Sequence, residues 1–180
     1  MAKLFIMNYG SYTNKNAVEN VIRYVTRTRL NEDRYKELID WGSFNTYIYD
    51  DNWNKNPEMV IKQFIDVQNF YEIKKRRGLR IHHETFNLLD EEYEAITDVD
   101  PLLTSLMISC CRYYDDLGFQ VLYAVHNSKN KGVHIHFVVN GISYRTGCKW
   151  HSWGHEDRMR ENVFNGFLQD YVIKCMAMQK

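Results

Sequence analysis

The sequence has few of the residues that break or cross-link a polypeptide chain. Among its 180 residues are only two prolines and four cysteines, and no two cysteines form a CxxC pair. The cysteines therefore indicate reduced thiols of an intracellular protein rather than a disulfide framework. No apolar run reaches the ~18 residues that a membrane-spanning helix needs, and no signal-peptide pattern opens the chain. We expect a soluble, cytoplasmic protein.

The sequence also lacks internal repeats, low-complexity stretches and an excess of either charge. Its 23 Lys and Arg residues balance 23 Asp and Glu residues, which argues against binding nucleic acid through net charge alone. Positive charge is instead local, in the run KKRRGLR (residues 74–80) and in the segment 118–160. A chain of this length suits one sizeable core, so we expect a single domain over residues 1–180.

Hydrophobic periodicity predicts an α+β fold. Apolar runs indicate strands at residues 3–10, 79–88, 119–126 and 132–141, and helical spacing indicates helices near residues 17–25, 57–77, 101–118 and 158–178. We expect a mostly antiparallel sheet of four to five strands with helices packed on its apolar face. The segment 29–56 holds several aromatic residues among Gly, Asn and Asp, which predicts either a base-stacking loop or a small satellite core.

The segment GVHIHFVVNG (residues 132–141) carries the clearest chemical signal. Alternation along a strand places His134 and His136 on one face and an apolar row on the other. The upstream strand ends in His126, and NSKNKG between the two strands predicts a hairpin turn. If His126 lies opposite His134, their Cβ atoms are about 5 Å apart. Three converging imidazoles predict a metal site, and a purely structural role for the histidines is the alternative.

Two tyrosines differ in their position on predicted helices. Tyr24 lies at the edge of an apolar helical stripe, with Arg23 and Arg27 on the outward side. This position suits either a packing residue with a wet hydroxyl or a reactive group. Tyr171 lies near the centre of its own stripe, which predicts a core residue.

Other polar residues are weaker candidates. The strand LRIHHETFNL places His82 and Glu84 on one face and His83 on the other. Glu84 and Asn140 are predicted to orient ligand histidines by hydrogen bonding, as carboxylates commonly do. For Glu84 the alternative, an edge-strand polar face, is slightly favoured. His151 and His155 have i, i+4 spacing, but the glycine between them favours a solvated loop.

Two of these motifs resemble a known family. HIHFVVN, with His126 eight residues before the histidine pair and TGCKW just after it, is similar to the third motif of HUH-type plasmid mobilisation relaxases. VIRYVTRTR near the N-terminus resembles the tyrosine motif of the same family. The resemblance implies that His126, His134 and His136 hold a divalent ion, Mn²⁺ or Mg²⁺, and that Tyr24 is the nucleophile.

The activity implied by this resemblance is that of a metal-dependent endonuclease and strand transferase. Such a DNA relaxase nicks single-stranded DNA at the transfer origin of a plasmid or mobile element during conjugation, through a 5′-phosphotyrosyl intermediate. The implied partners are single-stranded origin DNA and accessory mobilisation proteins, with no membrane. Contacts to the DNA backbone are expected from Arg23, Arg27, Lys74, Lys75, Arg76, Arg77, Lys129 and Lys131.

Two alternative functions stay open at this point. A rolling-circle replication initiator or a single-tyrosine transposase places its nucleophile after the histidine pair, where Tyr171 lies. A noncatalytic, metal-stabilised nucleic-acid-binding module would need a closed zinc site with a fourth ligand, for which Cys148 is the best candidate.

Overall fold

A five-stranded antiparallel sheet organises the fold. The computed structural model describes residues 1–7, 10–29, 36–72, 78–97, 100–151 and 154–178. The strands are β1 (Lys3–Ile6), β2 (Leu38–Phe44), β3 (Ile81–Asn87), β4 (Val121–Ser128) and β5 (Gly132–Asn140). They lie in the order β1-β3-β5-β4-β2, and every neighbouring pair is antiparallel. The predicted fold class is therefore confirmed.

Helices cover both faces of this sheet. One core lies between the sheet and two helices, α1 (Ala17–Val25) and α2 (Pro57–Phe70). The other face packs against α3 (Asp90–Thr97), α4 (Asp100–Asp116) and α5 (Gly154–Met178). The sheet thus carries helices on both faces where the sequence predicted one, because the face that bears the histidines also contributes buried apolar side chains from β3, β4 and β5. None of the helices in the described residues is long and apolar enough to cross a membrane.

The helix nearest the histidines follows its predicted pattern. Five apolar side chains of α1 are buried, and they are the predicted stripe Ala17, Val18, Val21, Ile22 and Val25. Helix α2 begins as predicted at Pro57, preceded by Asn56, whose side chain accepts the Glu58 N–H at 3.0 Å. It ends at Phe70, earlier than the predicted end near residue 77, and residues 73–77 lie outside the described part of the chain.

Strand β2 lies within the segment that the sequence left irregular. It pairs with β4, with an irregularity at Ile39, and forms one edge of the sheet. Near its middle lies Gly42, where an added Cβ would lie 2.7 Å from the ring and hydroxyl of Tyr123. Only glycine therefore admits this close approach, and a glycine inside a short run weakens the strand signal in the sequence. The aromatic residues divide accordingly, with Trp41 in the core and Tyr47 and Trp53 exposed.

Helix α5 starts four residues earlier than predicted. Its first residue is Gly154, so His155 lies in the first helical turn and the predicted loop is wrong at this residue. Both His151 and His155 are exposed.

Candidate active site

The β4–β5 hairpin brings three histidines together. His126 pairs directly with His134 across the hairpin, as predicted, and Ala124 pairs with His136. The ring centroids are 5.4 Å apart for His126 and His134, 4.5 Å for His126 and His136, and 5.0 Å for His134 and His136. One potential ligand atom from each residue lies within 4.8 Å of the other two. All three side chains are buried, on the sheet face that carries α1.

Two of the three imidazoles leave a nitrogen open for a metal. His134 Nδ1 lies 3.1 Å from the Gly132 carbonyl oxygen and donates to it, which leaves the lone pair on Nε2. His136 Nε2 is buried and has no hydrogen-bond partner among the described residues. A buried nitrogen without a partner costs about 1–3 kcal/mol, and metal coordination would relieve that cost. The donor set therefore fits a divalent cation.

The third imidazole is engaged on both nitrogens. His126 Nε2 lies 2.6 Å from the Val25 carbonyl oxygen, and Nδ1 lies 3.1 Å from Arg27 Nη2. A guanidinium only donates hydrogen bonds, so Nδ1 is the acceptor and Nε2–H donates to the carbonyl. Binding of a cation at Nδ1 would require Arg27 to release this hydrogen bond. Glu37 Oε2 already accepts from the same Arg27 nitrogen at 2.8 Å, so the guanidinium would keep a partner.

Burial keeps the imidazoles uncharged. Removal from water lowers the pKa of His126 to about 4, although its hydrogen bond to the Val25 carbonyl acts in the opposite direction. The same cause lowers the pKa of His134 and takes that of His136 well below its ordinary value. Neutral imidazole is the form that binds a metal. The site is therefore in its ligand form at neutral pH.

Tyr24 lies beside this cluster, at the end of α1. Its ring centroid is 6.0 Å from that of His136, and the two rings meet edge to face at 78°. The guanidinium groups of Arg27 and Arg29 each lie 5.1 Å from the centre of the Tyr24 ring. The half-buried phenol therefore lies next to the histidine cluster and next to two guanidinium groups.

Two cavities open next to Tyr24. One of about 300 Å³ is lined by Tyr24, Tyr12, Arg29 and His83, among others. The second, of about 500 Å³, extends from Tyr24 to the β4–β5 turn, and its lining includes Lys36, Arg27, Lys129 and Lys131. A substrate can therefore reach both the phenol and the edge of the histidine cluster.

The predicted DNA contacts fall into three groups. Arg27, Lys129 and Lys131 line the larger cavity. Arg23 does not line it and instead forms ion pairs with Glu19 at 3.2 Å and Glu58 at 2.9 Å. Lys74, Lys75, Arg76 and Arg77 lie outside the described residues.

Glu84 and Asn140 do not contact the histidines, and the structure corrects both predictions. Thr85 pairs with His136, so the neighbouring Glu84 points to the opposite face of the sheet. There Glu84 forms a buried ion pair with Arg160 and accepts hydrogen bonds from His82 and Tyr114.

Asn140 is on the histidine face, but it holds α2 against the sheet. Its Nδ2 donates to the Phe64 carbonyl at 3.1 Å and to Gln120 Oε1 at 2.8 Å. Its Oδ1 accepts from Gln68 Nε2 at 2.9 Å. These hydrogen bonds therefore join the end of β5 to α2 and to the residue that precedes β4.

The residue that does orient a candidate ligand is His83, which the sequence did not single out. His83 Nε2 lies 2.8 Å from His136 Nδ1, and His83 Nδ1 lies 2.8 Å from the Tyr12 hydroxyl. When His136 Nε2 binds a cation, Nδ1–H donates to His83 Nε2, and His83 Nδ1–H in turn donates to Tyr12. Alternation did place His83 on the face opposite Glu84, but only the β3–β5 register connects it to His136.

The residues of the two alternative functions lie elsewhere. The Tyr171 hydroxyl is on the other face of the sheet, 3.0 Å from Ser109 Oγ and 3.2 Å from the Ser105 carbonyl oxygen of α4. Cys148 is exposed and lines a separate cavity beside α5. Among the described residues, the three histidines are the one group of His, Cys, Asp or Glu side chains close enough to hold a metal.

Comparison with known proteins identifies the family. Residues 19–171 match the relaxase family model described as MobA/VirD2-like, nuclease domain. The matched region includes Tyr24, the hairpin histidines and most of α5. No match was found among curated proteins. Since the family model covers well over half of the chain, the relaxase resemblance is confirmed, and the chain belongs to the MobA/VirD2-like relaxases through their nuclease domain.

Proposed function

We propose that this chain is a single nuclease domain that nicks single-stranded DNA at the transfer origin of a plasmid or mobile element, with Tyr24 as its nucleophile. The membership of the relaxase family supports DNA nicking in general. The observation that carries the finer proposal is the position of the Tyr24 ring, 6.0 Å from that of His136 and open to two cavities.

The three histidines suit a divalent cation. His126, His134 and His136 would hold it, and their imidazole nitrogens favour Mn²⁺ over Mg²⁺ because Mg²⁺ prefers oxygen ligands. When bound, the ion supplies a Lewis acid that polarises the scissile phosphate. His83 would fix the tautomer of His136 through the hydrogen bond at its Nδ1.

Tyr24 would carry the covalent step. Its phenol oxygen attacks phosphorus and loses its proton, and the 3′ oxygen of the preceding nucleotide leaves and becomes protonated. The DNA 5′ end is then joined to the protein as a phosphotyrosyl diester, so the reverse reaction can rejoin the strand. The guanidinium groups of Arg27 and Arg29 lie next to the ring, where their positive charge would attract the phosphate of a bound strand.

The larger cavity would guide the DNA backbone. Lys129 and Lys131 in the hairpin turn and Lys36 before β2 place positive charge on the wall that leads to Tyr24. With a net charge of zero, the chain depends on such local charge to bind phosphates. Accessory mobilisation proteins would provide further contacts at the origin.

The alternatives have less support. Tyr171 would serve a replication initiator or transposase, but its hydroxyl is hydrogen-bonded to α4 on the face opposite the histidines. A closed zinc site would need Cys148, which lies at the cavity beside α5. Neither residue is placed to act with the histidine cluster.

A denaturing gel tests the proposal. The wild-type protein is incubated with Mn²⁺ and a pool of labelled single-stranded oligonucleotides from the transfer region, and covalent complexes shift the label to the protein band. We expect the shifted band to disappear with Tyr24→Phe and to persist with the control Tyr171→Phe. A band that persists with Tyr24→Phe and disappears with Tyr171→Phe would reassign the nucleophile.

A further inference from the structure

Three aromatic side chains of the loop between β2 and α2 line an open cavity. The cavity has a volume of about 340 Å³ and is lined by Tyr47, Tyr49, Asp50, Asp51, Trp53 and Met59. The loop that lines the cavity begins after Phe44, the last residue of β2. Phe44 pairs with Val121, at the opposite end of β4 from His126. We call this space the aromatic cavity, and it is separate from the proposed nuclease site.

The rings form walls rather than a stack. Tyr49 is the central ring, with its centroid 6.2 Å from that of Tyr47 and 6.1 Å from that of Trp53. The corresponding interplanar angles are 70° and 49°, so neither pair of rings is stacked, and all three residues line the one cavity. Trp53 is 75% exposed and Tyr47 is 52% exposed. Clustered exposed aromatic surface of this kind marks a binding site more often than isolated apolar residues do.

The backbone of the loop is held in one conformation. Asp50 N–H donates to the Asn54 carbonyl at 2.9 Å, and Asn56 N–H donates to the Ile48 carbonyl at 2.7 Å. The Asp50 carboxylate also accepts the N–H groups of Asn52 and Asn54, at 2.9 and 3.0 Å. These bonds close the loop on itself, so little conformational entropy remains to be lost when a ligand binds.

The loop is also hydrogen-bonded to α2, and its tryptophan has an unfavourable backbone conformation. Tyr47 N–H donates to Gln63 Oε1 at 2.9 Å, and Gln63 Nε2 donates to the Tyr47 carbonyl at 2.8 Å. Trp53 has a φ of 63°, a left-handed conformation that is uncommon for a bulky residue. Unfavourable backbone conformations are concentrated at functional positions. The strained, exposed tryptophan therefore points to a ligand at this cavity.

The charge of the cavity selects the ligand. Two of its six lining residues are aspartates and none is cationic. The nearby Lys55 ammonium is directed away, to Asp40 Oδ1 and the Trp41 carbonyl, each at 2.6 Å. Aromatic faces attract cations, and adjacent carboxylates strengthen that attraction. The same carboxylates repel phosphates, which makes the cavity a poor platform for DNA.

We propose that the aromatic cavity binds an arginine side chain presented by a basic segment of a partner protein. Arginine suits the site better than lysine because its planar guanidinium stacks on aromatic rings while its edge donates to carboxylates. The proposal does not depend on the nuclease chemistry, since none of the residues that line the aromatic cavity belongs to the proposed nuclease site.

Titration of the full chain with matched peptides tests the proposal. The probe is an octapeptide of Gly and Ser with two arginines, and its control contains citrulline, the uncharged analogue, at both positions. Binding is followed by NMR through the Trp53 indole N–H, assigned by its absence in Trp53→Phe. We expect a saturable shift with the arginine peptide and an affinity about tenfold weaker for the citrulline peptide.

Two variants and a DNA control complete the test. Trp53→Ala should lose arginine-peptide binding measured by calorimetry, whereas Phe70→Ala, which removes an aromatic ring of similar exposure (78%) on α2, should retain it. Asp51→Asn should weaken binding and flatten its salt dependence. Equal affinity for both peptides, or no saturable shift at millimolar peptide, would overturn the proposal. So would a saturable Trp53 shift produced by oligothymidylate alone, which would make the cavity a DNA platform.

Discussion

Two buried polar clusters lie on opposite faces of the sheet, and they differ in how completely they are paired. On one face, Glu84 is in contact with Arg160, His82 and Tyr114, so its carboxylate is saturated. On the other, His136 Nε2 is buried without a partner among the described residues. The Glu84 cluster joins β3 to α4 and α5, whereas the histidine cluster lies on β4 and β5.

The difference separates a structural cluster from a candidate metal site. A buried charge is tolerated when neighbours satisfy it, and the Glu84 cluster meets that condition within the described chain. The histidine cluster leaves a buried nitrogen without a partner among the described residues and holds one potential ligand atom of each imidazole within 4.8 Å of the other two, an arrangement that suits a bound cation. The residue types alone did not distinguish the two clusters, because both contain histidines that can form hydrogen bonds.

Removing the charge that balances Glu84 should have the largest effect on stability. Arg160→Met leaves a carboxylate in a fully buried position, so we expect the free energy of unfolding to fall by about 3–5 kcal/mol. Urea denaturation followed by circular dichroism measures the change. The control is Arg145→Met, which breaks a more exposed ion pair with Asp115 and should lower stability much less, because solvent screens that pair. Equal losses in the two variants would mean that the Glu84 cluster is not a structural one.

Metal binding should stabilise the protein through the other cluster. With free Mn²⁺ at a hundred times its dissociation constant, we expect wild-type stability to rise by about 2.7 kcal/mol. The His134→Ala/His136→Ala double variant should show no such increment, whereas the exposed-residue control His151→Ala should keep it. Because each variant is compared with itself without metal, any cost of the substitution cancels. A full increment in the double variant would exclude the histidines as ligands.

Acid should act on the Glu84 cluster with a defined sign. Burial opposes ionisation of Glu84, but the His82 hydrogen bond and the Arg160 charge outweigh it and lower the pKa below its ordinary value of 4.5. As the pH falls, the unfolded state therefore binds a proton at Glu84 before the folded state does. The stabilisation that ionised Glu84 contributes is present above pH 4.5 and is lost as the pH falls through the folded pKa. Denaturation at a series of pH values should show a shallower acid loss in Arg160→Met than in the wild type. An identical slope would contradict this account.

The two tyrosines should give the smallest effects on stability and the clearest contrast in function. Tyr171→Phe removes the hydroxyl that bonds to Ser105 and Ser109, so we expect a loss of about 1 kcal/mol with cleavage retained. Tyr24→Phe should change the free energy of unfolding little while abolishing attachment to DNA. Chemical denaturation of both variants, beside the gel assay, checks the pair. A stability loss confined to Tyr24→Phe would indicate a structural role for that residue.

The sequence predicted those parts of the site that depend on local periodicity. Alternation along β5 fixes His134 and His136 on one face whatever the neighbouring strands are, and a short polar turn makes His126 their partner in the hairpin. The buried stripe of α1 likewise follows from helical spacing, which also leaves Tyr24 at its edge. These residues are in place because each relationship spans only a few positions of the chain.

The rest depended on long-range pairing that the sequence does not encode locally. His83 reaches His136 only because β3 lies beside β5, and the same register turns Glu84 to the opposite face. Strand β2 was missed because its Gly42 accommodates the Tyr123 ring of a strand far along the chain. The predicted role of Glu84 was wrong for this reason, since its carboxylate lies on the face opposite the candidate ligands and pairs there with Arg160.

Mass spectrometry of the covalent complex tests the central claim most directly. After reaction with the oligonucleotide pool, a nuclease trims the bound DNA and trypsin digests the protein. The peptide that still carries a nucleotide, joined through its 5′ phosphate, is then sequenced. Cleavage after Arg23 and Arg27 isolates Tyr24 in the peptide of residues 24–27, whereas Tyr171 lies in the peptide of residues 161–174. The account predicts the nucleotide on Tyr24 and its dependence on Mn²⁺ and the three histidines. A nucleotide on residues 161–174, or on no tyrosine, would contradict it.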